Sequence, residues 1–371
     1  MTESTLVNLF LIIRVFLIGG LLLALPHIMR KGLMFGVYIG EGTAKGDSAS
    51  QLLHSWRHGC VLVMVLALGV GLGISAAGWP VAGNLTGTAV LLCSALALYL
   101  RLYAKARKLI PPEAARQAQK SVVSLDVGRS RGQPFARATL AICLITSLLV
   151  ILYAVASYRV MPDLVPALSG TGPMSEKVFI DTIYFPVLAL VVSSLFSLLA
   201  LFTAGAKRSL RDGTGSYSAE AQDAFQLFFT KLLCWIAILF CALLTLISVQ
   251  IVRVGLSATN WIGHEIWWAP GILVIFMLIG LIRIMRKYGQ GGSFREYGSA
   301  ETPLTGALAD NDHWVLGLFY FNRDDSSIMV ESRFGVGYTL NYANSTAILF
   351  TVTYLVLTIG LAALGLVRVL S

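Results

Sequence analysis

Residues 310–344, DNDHWVLGLFYFNRDDSSIMVESRFGVGYTLNYAN, stand between two long apolar runs. The stretch is polar, aromatic and punctuated by glycine. It carries more charge than a helix surrounded by lipid can hold, because nothing in the hydrocarbon replaces water around those groups. It therefore reads as a folded piece outside the bilayer in an otherwise hydrophobic chain. Its halves, WVLGLFYFN and SIMVESRFGVGYTLNY, are rich in β-branched and aromatic residues, and Asn322-Arg323-Asp324-Asp325 between them is turn chemistry. The expectation is a small β-meander or hairpin, too short to be a large independent domain. It is expected to lean on the loops at 28–58 and 204–227.

The composition around this insert is that of a multi-pass membrane protein. Hydrophobic residues make up 56% of the 371-residue chain and charged residues 13%, against roughly 25% charged in a soluble domain. Mean hydropathy is +0.76. About eight apolar runs are long enough to cross a core of ~30 Å as helices, near 5–27, 60–80, 84–104, 136–157, 179–203, 228–252, 267–285 and 346–369. The fold class expected is an all-α transmembrane helical bundle of about eight spans with a small cytoplasmic β-rich insert before the last span. Four segments follow. Residues 1–135 form a three-span part with a basic arm, and 136–286 a four-span part with an outer Pro/Gly loop at 158–177. Residues 287–345 are the insert and 346–371 the last helix.

Basic residues set the orientation. Arg30, Lys31, Lys45 and Arg57 follow the first span, whereas the turn after the second has neither Lys nor Arg. Lys105, Arg107, Lys108, Arg116, Lys120, Arg129 and Arg131 follow the third, and only Arg159 and Lys177 the fourth. Rich and poor loops continue to alternate, as the positive-inside rule requires, which puts both termini outside the cytoplasm. This asymmetry accounts for most of the net charge of +9. Trp79, Tyr158, Trp261, Trp267 and Trp268 sit at span ends, where amphipathic rings meet headgroups. The arm at 105–131 is a site for anionic lipid. It is short and lacks interleaved aromatics, so no nucleic acid is expected. The opening MTESTLVNLF has no positive n-region and reads as the start of a retained helix.

Few residues carry recognisable chemistry. Cys60, Cys93, Cys143, Cys234 and Cys241 lie in or beside apolar runs without CxxC spacing, so they read as packing residues rather than disulfides or metal ligands. No GxSxG, Walker or Rossmann pattern occurs, and His264-Glu265 is not a HExxH site. Alternate carboxylates Asp310, Asp312, Asp324 and Asp325 lack the glycine and terminal glutamate of a calcium loop. No catalytic residue, metal or cofactor is expected. Arg14 lies within the first span, and an intramembrane charge is a functional candidate by default. Asp181 opens the fifth span ahead of Thr182 and Pro186, and the proline frees the Thr182 carbonyl. Gly69, Gly71 and Gly73, with Ala67, Ser75 and Ala77, make small-residue ridges that permit close helix approach.

Four stretches, in order, resemble a group of bacterial membrane proteins of unknown function related to the SdpI-type toxin-immunity family. MFGVYIGE (34–41) is similar to that group's basic-then-FGVRIPE segment, and LYLRLYAKARKLIPPE (98–113) to its YY-x-A-H-R-K helix end. YRVMPDLVPALSGTGPMSEK (158–177) resembles its outer Pro/Asp segment at Pro162, Asp163, Pro166 and Gly172, with Leu168, Ser169 and Gly170 where the group has His and Asn. The insert resembles a companion domain with the pattern W-x-x-G-x-F-Y-x-N-x-D-D then V-x-x-R-x-G-x-G-x-T-x-N. The matching residues include Trp314, Gly317, Tyr320, Asn322, Asp324, Asp325, Arg333 and Asn341. The resemblance implies a bacterial plasma-membrane protein and no enzyme activity.

The function expected is non-enzymatic. An immunity-like or sensory protein would recognise a peptide or amphipathic ligand at its outer face through Arg14, Asp181, Pro186, Pro162, Asp163, Pro166 and Gly172. It would relay that state, or hold a protein partner, through Trp314, Tyr320, Asn322, Asp324, Asp325, Arg333 and Asn341. A transporter or lipid-handling protein, and a structural subunit of a larger membrane complex, are the other readings.

Overall fold

The computed structural model describes residues 3–29, 32–111, 131–165, 175–206, 215–256, 269–288 and 311–370. The helices are α1 (Glu3–Ile28), the short α2 (Glu41–Ala44), α3 (Asp47–Ala76), α4 (Pro80–Arg107), α5 (Gln133–Val160), α6 (Phe179–Ala204), α7 (Gly215–Gly255), α8 (Ala269–Tyr288) and α9 (Ser345–Leu370). Four two-stranded antiparallel hairpins interrupt them: β1 (Leu33–Met34) with β2 (Val37–Tyr38), β3 (Leu164–Val165) with β4 (Ser175–Glu176), β5 (Trp314–Val315) with β6 (Phe319–Tyr320), and β7 (Met329–Glu331) with β8 (Tyr338–Leu340).

Among the described residues seven helices are long and apolar enough to cross a bilayer: α1, α3, α4, α5, α6, α7 and α9. The eighth expected span, 267–285, coincides from residue 269 onward with α8, which has 20 residues and carries Arg286 and Lys287 in its last turn but is not among those seven. Two helices outrun the expected spans. α3 has 30 residues and α7 has 41, or about 45 and 60 Å of helix at 1.5 Å per residue. Hydropathy marks only the part of a helix that lies in lipid. The polar first turns of α3, from Asp47 through Arg57, extend the same helix beyond it.

Packing divides the helices into two groups, α1–α3–α4 and α5–α6–α7, with α8 on α7 and α9 on α6. In the first group the α3–α4 contact is backbone against backbone. A Cβ on Gly71 would lie 3.0 Å from the Gly83 carbonyl oxygen, and one on Gly87 would lie 2.9 Å from that of Ala67. Gly71 thus belongs to the ridge expected from the sequence, facing Gly83 and Gly87 of α4, while Gly69 and Gly73 face open space. α9 runs antiparallel to α6. Ala347 packs by Ala206, the Tyr354 hydroxyl donates to Ser194 Oγ at 2.8 Å, and Gly365 lies against Tyr184. Both described chain ends therefore lie on the face opposite the insert.

The insert departs from the expected strand pattern. Asn322–Asp325 is indeed a turn, with the Asp324 amide donating to Asn322 Oδ1 at 2.9 Å, but it does not join two long strands. Each half instead folds back on itself as a hairpin, and a parallel bridge between Tyr320 and Asn341 ties the two together. Glycines at 317, 335 and 337 with positive φ break each run where continuous strand was expected.

Replacing Gly71 by Leu is expected to lower the thermal midpoint of the detergent-solubilised protein, by the ~1–3 kcal/mol typical of overpacking. Gly73→Leu, which faces open space, is expected to leave it near the parent value. Equal midpoints for the two variants would contradict this packing.

Candidate functional site

The site begins with two tight turns. Phe35-Gly36 turns β1 into β2, and Leu316-Gly317 begins the turn from β5 to β6; all four residues have φ between 47° and 75°. The turns meet glycine to glycine. A Cβ on Gly36 would collide with the Gly317 backbone, and one on Gly317 would lie 2.8 Å from Gly36 Cα. The Tyr99 hydroxyl of α4 closes the contact, lying 3.1 Å from the Phe35 carbonyl oxygen and 2.9 Å from that of Leu316. The Phe334 ring packs at 4.6 Å from that of Tyr99. Beneath this joint the first hairpin is buried among Leu52, Trp56, Cys60 and Leu102, and the Trp56 indole N–H donates to the Leu22 carbonyl at 2.9 Å.

Asn311 and Arg333 complete the joint. Asn311 acts as a strand partner for Tyr38: its Oδ1 accepts the Tyr38 amide and its Nδ2 donates to the Tyr38 carbonyl, both at 2.9 Å. Arg333 is only 1% exposed. Its guanidinium donates to Asn311 Oδ1 at 2.8 Å and to the Gly36 carbonyl at 3.3 Å, and lies 4.9 Å from the centre of the Trp314 ring. Burying a cation is costly unless it is hydrogen-bonded, so this arginine ties the insert to one place on the β1–β2 turn.

The opposite side of the insert docks on the second helix group. Tyr338 packs near Phe225 and Phe229, and a Cβ on Gly337 would strike the Phe229 ring. Met329 and Leu340 pack with Ala206 and Ala347. The Gln226 side chain donates to the Thr203 and Ala206 carbonyls at 2.7 and 3.0 Å, satisfying the C-terminus of α6. The insert thus spans both helix groups on one face.

The remaining insert residues singled out in the sequence organise its interior. The Asn341 side chain donates to the Asn322 and Asp325 carbonyls at 2.9 and 2.8 Å and accepts the Asn322 and Ala343 amides, both at 3.1 Å. Asn322 Nδ2 donates to the Tyr320 hydroxyl, which donates in turn to Asp325 Oδ2 at 3.3 Å. Asp325 Oδ1 also accepts the Ser327 amide at 2.9 Å. Trp314, Tyr320 and Val330 form a small core. Expected as an interaction surface, Trp314, Tyr320, Arg333 and Asn341 are buried inside the fold. The insert exposes Arg323, Asp324 and Ser326 at its turn and an apolar face of the β5–β6 hairpin and its exit, with Val315 at 55%, Phe319 at 44% and Phe321 at 42%.

The candidates for an outer site are dispersed. Arg14 donates to Asn84 Oδ1 at 3.1 Å and Thr88 Oγ1 at 2.8 Å, and Asn84 Nδ2 donates to the Val7 carbonyl at 3.0 Å. Two neutral side chains of α4 therefore receive this charge. Asp181 lies in the first turn of α6, and Pro186 is buried within that helix. Asp163, 96% exposed, pairs with Lys177 at 3.3 Å, and the Lys177 ammonium also donates to the Met161 carbonyl at 2.7 Å and lies over the Tyr158 ring. Pro162 is exposed beside it. Pro166 and Gly172, most of the basic arm, His264-Glu265, Trp261, Trp267, Trp268 and Asp310 lie outside the described residues. Among the described residues there is no cluster of three or more metal-ligating side chains, and the five cysteines are free.

Sequence reasoning did not single out Gly36, Tyr38, Tyr99, Asn311, Asn84 or Thr88. A signal existed for some. Met34-Phe35-Gly36-Val37 and Val315-Leu316-Gly317-Leu318 share an apolar–apolar–Gly–apolar turn, and Asn84 and Thr88 are one helical turn apart. Residues 34–38, Tyr99 and residues 311–334, far apart in the chain, meet at the joint.

A family described as a family of unknown function, DUF5808, matches residues 323–348. That span runs from the turn after β6 through the second hairpin into the first turn of α9, and includes Arg333 and Asn341. No curated protein and no solved structure matches the chain.

Asn341→Ala leaves two carbonyls and two amides without their partner, at ~1–3 kcal/mol for each buried group. It is expected to make the insert cleavable by protease while the helices stay resistant. Tyr99→Phe, which removes only the hydroxyl at the turn contact, is expected to raise the cleavage rate less. An insert as resistant in Asn341→Ala as in the parent would contradict this account.

Proposed function

We propose that the chain is a non-enzymatic integral membrane protein of immunity-like or sensory type. In this reading the outer loop at 158–177 meets a peptide or amphipathic ligand, and the insert carries the resulting state at the cytoplasmic face. The observation that carries the proposal is the insert's double docking, on Tyr99 and Gly36 of one helix group and on Phe225 and Phe229 of the other. A shift of α6 against α5 at the outer loop alters the surface on which Met329 and Tyr338 rest. The insert is thus placed to respond to movement between the groups. The resemblance to SdpI-type immunity proteins supports the same reading, as do the absence of catalytic motifs and the alternation of basic loops that puts both termini outside.

A transporter or lipid-handling role gains little from Arg14, whose charge is already bound by Asn84 and Thr88. A subunit role is favoured by the exposed apolar face at Val315, Phe319 and Phe321, of the kind that marks contact with another surface. α8 is taken as the eighth span.

Cells with and without the protein, challenged with membrane-active peptides, test the proposal. Survival is expected to rise when the protein is present and to return to the unprotected level with Arg333→Met, which loosens the joint. Equal survival across the peptide panel would overturn the immunity reading. A protein partner that copurifies at fixed stoichiometry and is lost on Phe319→Ser would establish the subunit reading.

A further inference from the structure

Cys143 and Cys241 read in the sequence as packing residues because no motif joins them. They are 98 positions apart, and the fold brings them together. Cys143 of α5 and Cys241 of α7 are 1% and 4% exposed and share one buried cluster with Ala237. The two thiols face each other across the helix contact, and Cys241 Sγ lies 3.9 Å from the Cys143 carbonyl oxygen. Each residue is at least ten positions from either end of its apolar helix, or about 15 Å at 1.5 Å per residue. The pair therefore sits deep inside the second helix group.

Hydroxyl groups from three helices surround it. Ser147 Oγ of α5 lies 3.8 Å from Cys241 Sγ. Ser193 and Ser197, one turn apart on α6, and Thr245 of α7 also face the sulfurs. Ser193 and Ser197 are 1% and 0% exposed, yet neither hydroxyl forms a hydrogen bond at bonding geometry. A buried donor without an acceptor is costly. These two donors stand beside sulfurs that, as thiols, are weak acceptors. Thiolates are strong ones, because an ionised acceptor shortens and strengthens the bond.

The number and kind of ligands say which ion would hold the sulfurs as thiolates. Soft thiolates suit Cu(I), which accepts two ligands in a line. Zinc takes three or four protein ligands, and among the described residues no third His, Cys, Asp or Glu joins the pair. A disulfide has no use for the hydroxyls, since its sulfurs carry no charge.

We infer that Cys143 and Cys241 form a two-coordinate site for one soft monovalent cation of the Cu(I) class, with Ser193 and Ser197 donating to its sulfurs. Binding breaks two S–H bonds and forms two S–Cu bonds. Two protons leave to solvent, copper stays Cu(I), and no electron is transferred. The resulting group carries one net negative charge, which the hydroxyls stabilise in place of water. Bound metal thereby clips α5 to α7.

Full-length protein purified in detergent under reducing conditions and incubated with the Cu(I)–bicinchoninate complex tests the site. It is expected to withdraw one Cu(I) per chain, read by loss of the complex's colour and by metal analysis after gel filtration. Copper-edge X-ray absorption is expected to show two sulfur neighbours. Cys143→Ser and Cys241→Ser are each expected to withdraw none. The combined variant Cys60→Ala, Cys93→Ala and Cys234→Ala, which keeps only the pair, is expected to withdraw one. Ser193→Ala with Ser197→Ala is expected to keep the site but weaken it roughly tenfold. Metal-free thermal midpoints equal to the parent's identify the variants as folded, and the absorption spectrum of the parent needs no variant. The inference is overturned if the parent withdraws no Cu(I), if copper stays bound when either cysteine of the pair is replaced, or if the pair-only variant loses it. It is equally overturned if the double serine variant binds like the parent, or if alkylation at cell lysis finds Cys143 and Cys241 already joined as a disulfide.

Discussion

Two backbones touching at Gly36 and Gly317 are the constraint on which the rest of the structure depends. Neither turn can carry a side chain at that point, because a Cβ on either would enter the other's backbone. Phe35 and Leu316 accept left-handed conformations beside them, at roughly 1–2 kcal/mol each. The close approach exposes two turn carbonyls to a low-dielectric junction, and one hydroxyl, that of Tyr99, lies within hydrogen-bond distance of both. From this contact the other features follow in order. The buried hairpin below needs the long polar extension of α3 to cover it. The insert above needs Arg333 and Asn311 to fix its rotation, and it can then reach Phe225 and Phe229 on the far group.

Polar residues in and beside the bilayer here serve chiefly as interhelical fastenings. Arg14 reads in the sequence as a lone intramembrane charge, yet it joins α1 to α4 through Asn84 and Thr88. Gln226 likewise completes the end of α6. Each such bond is favoured because an unsatisfied polar group in hydrocarbon costs several kcal/mol. The same economy governs the insert, where Asn341 alone satisfies four backbone groups.

Much of the architecture was legible in the residues, because bilayer thickness converts directly into a run length. The seven apolar helices, the position of the insert and the turn at Asn322–Asp325 all follow from that and from turn chemistry. Helix ends did not, since α3 continues through Asp47–Trp56 in a stretch no apolar window detects. The hairpins were misread as longer strands because Gly317, Gly335 and Gly337 interrupt runs whose β-propensity is otherwise continuous. The candidate site was legible only as a set of residue types. Trp314, Tyr320, Arg333 and Asn341 stood out, but whether an aromatic or an arginine faces outward or inward depends on partners such as Tyr38 and Gly36, nearly 300 positions away.

That separation bears on how the chain is made. Gly36 and Tyr38 leave the ribosome well before Asn311, Gly317 and Arg333, which follow them by nearly 300 positions. The α1–α3–α4 group must therefore wait through the synthesis of the intervening chain with its hairpin socket uncapped. Long-range contacts of this kind form late because the intervening chain must first be ordered. Closure of the joint thus waits for residues 311–333, so a chain interrupted before residue 311 keeps an open, apolar and incompletely bonded face where the insert would sit.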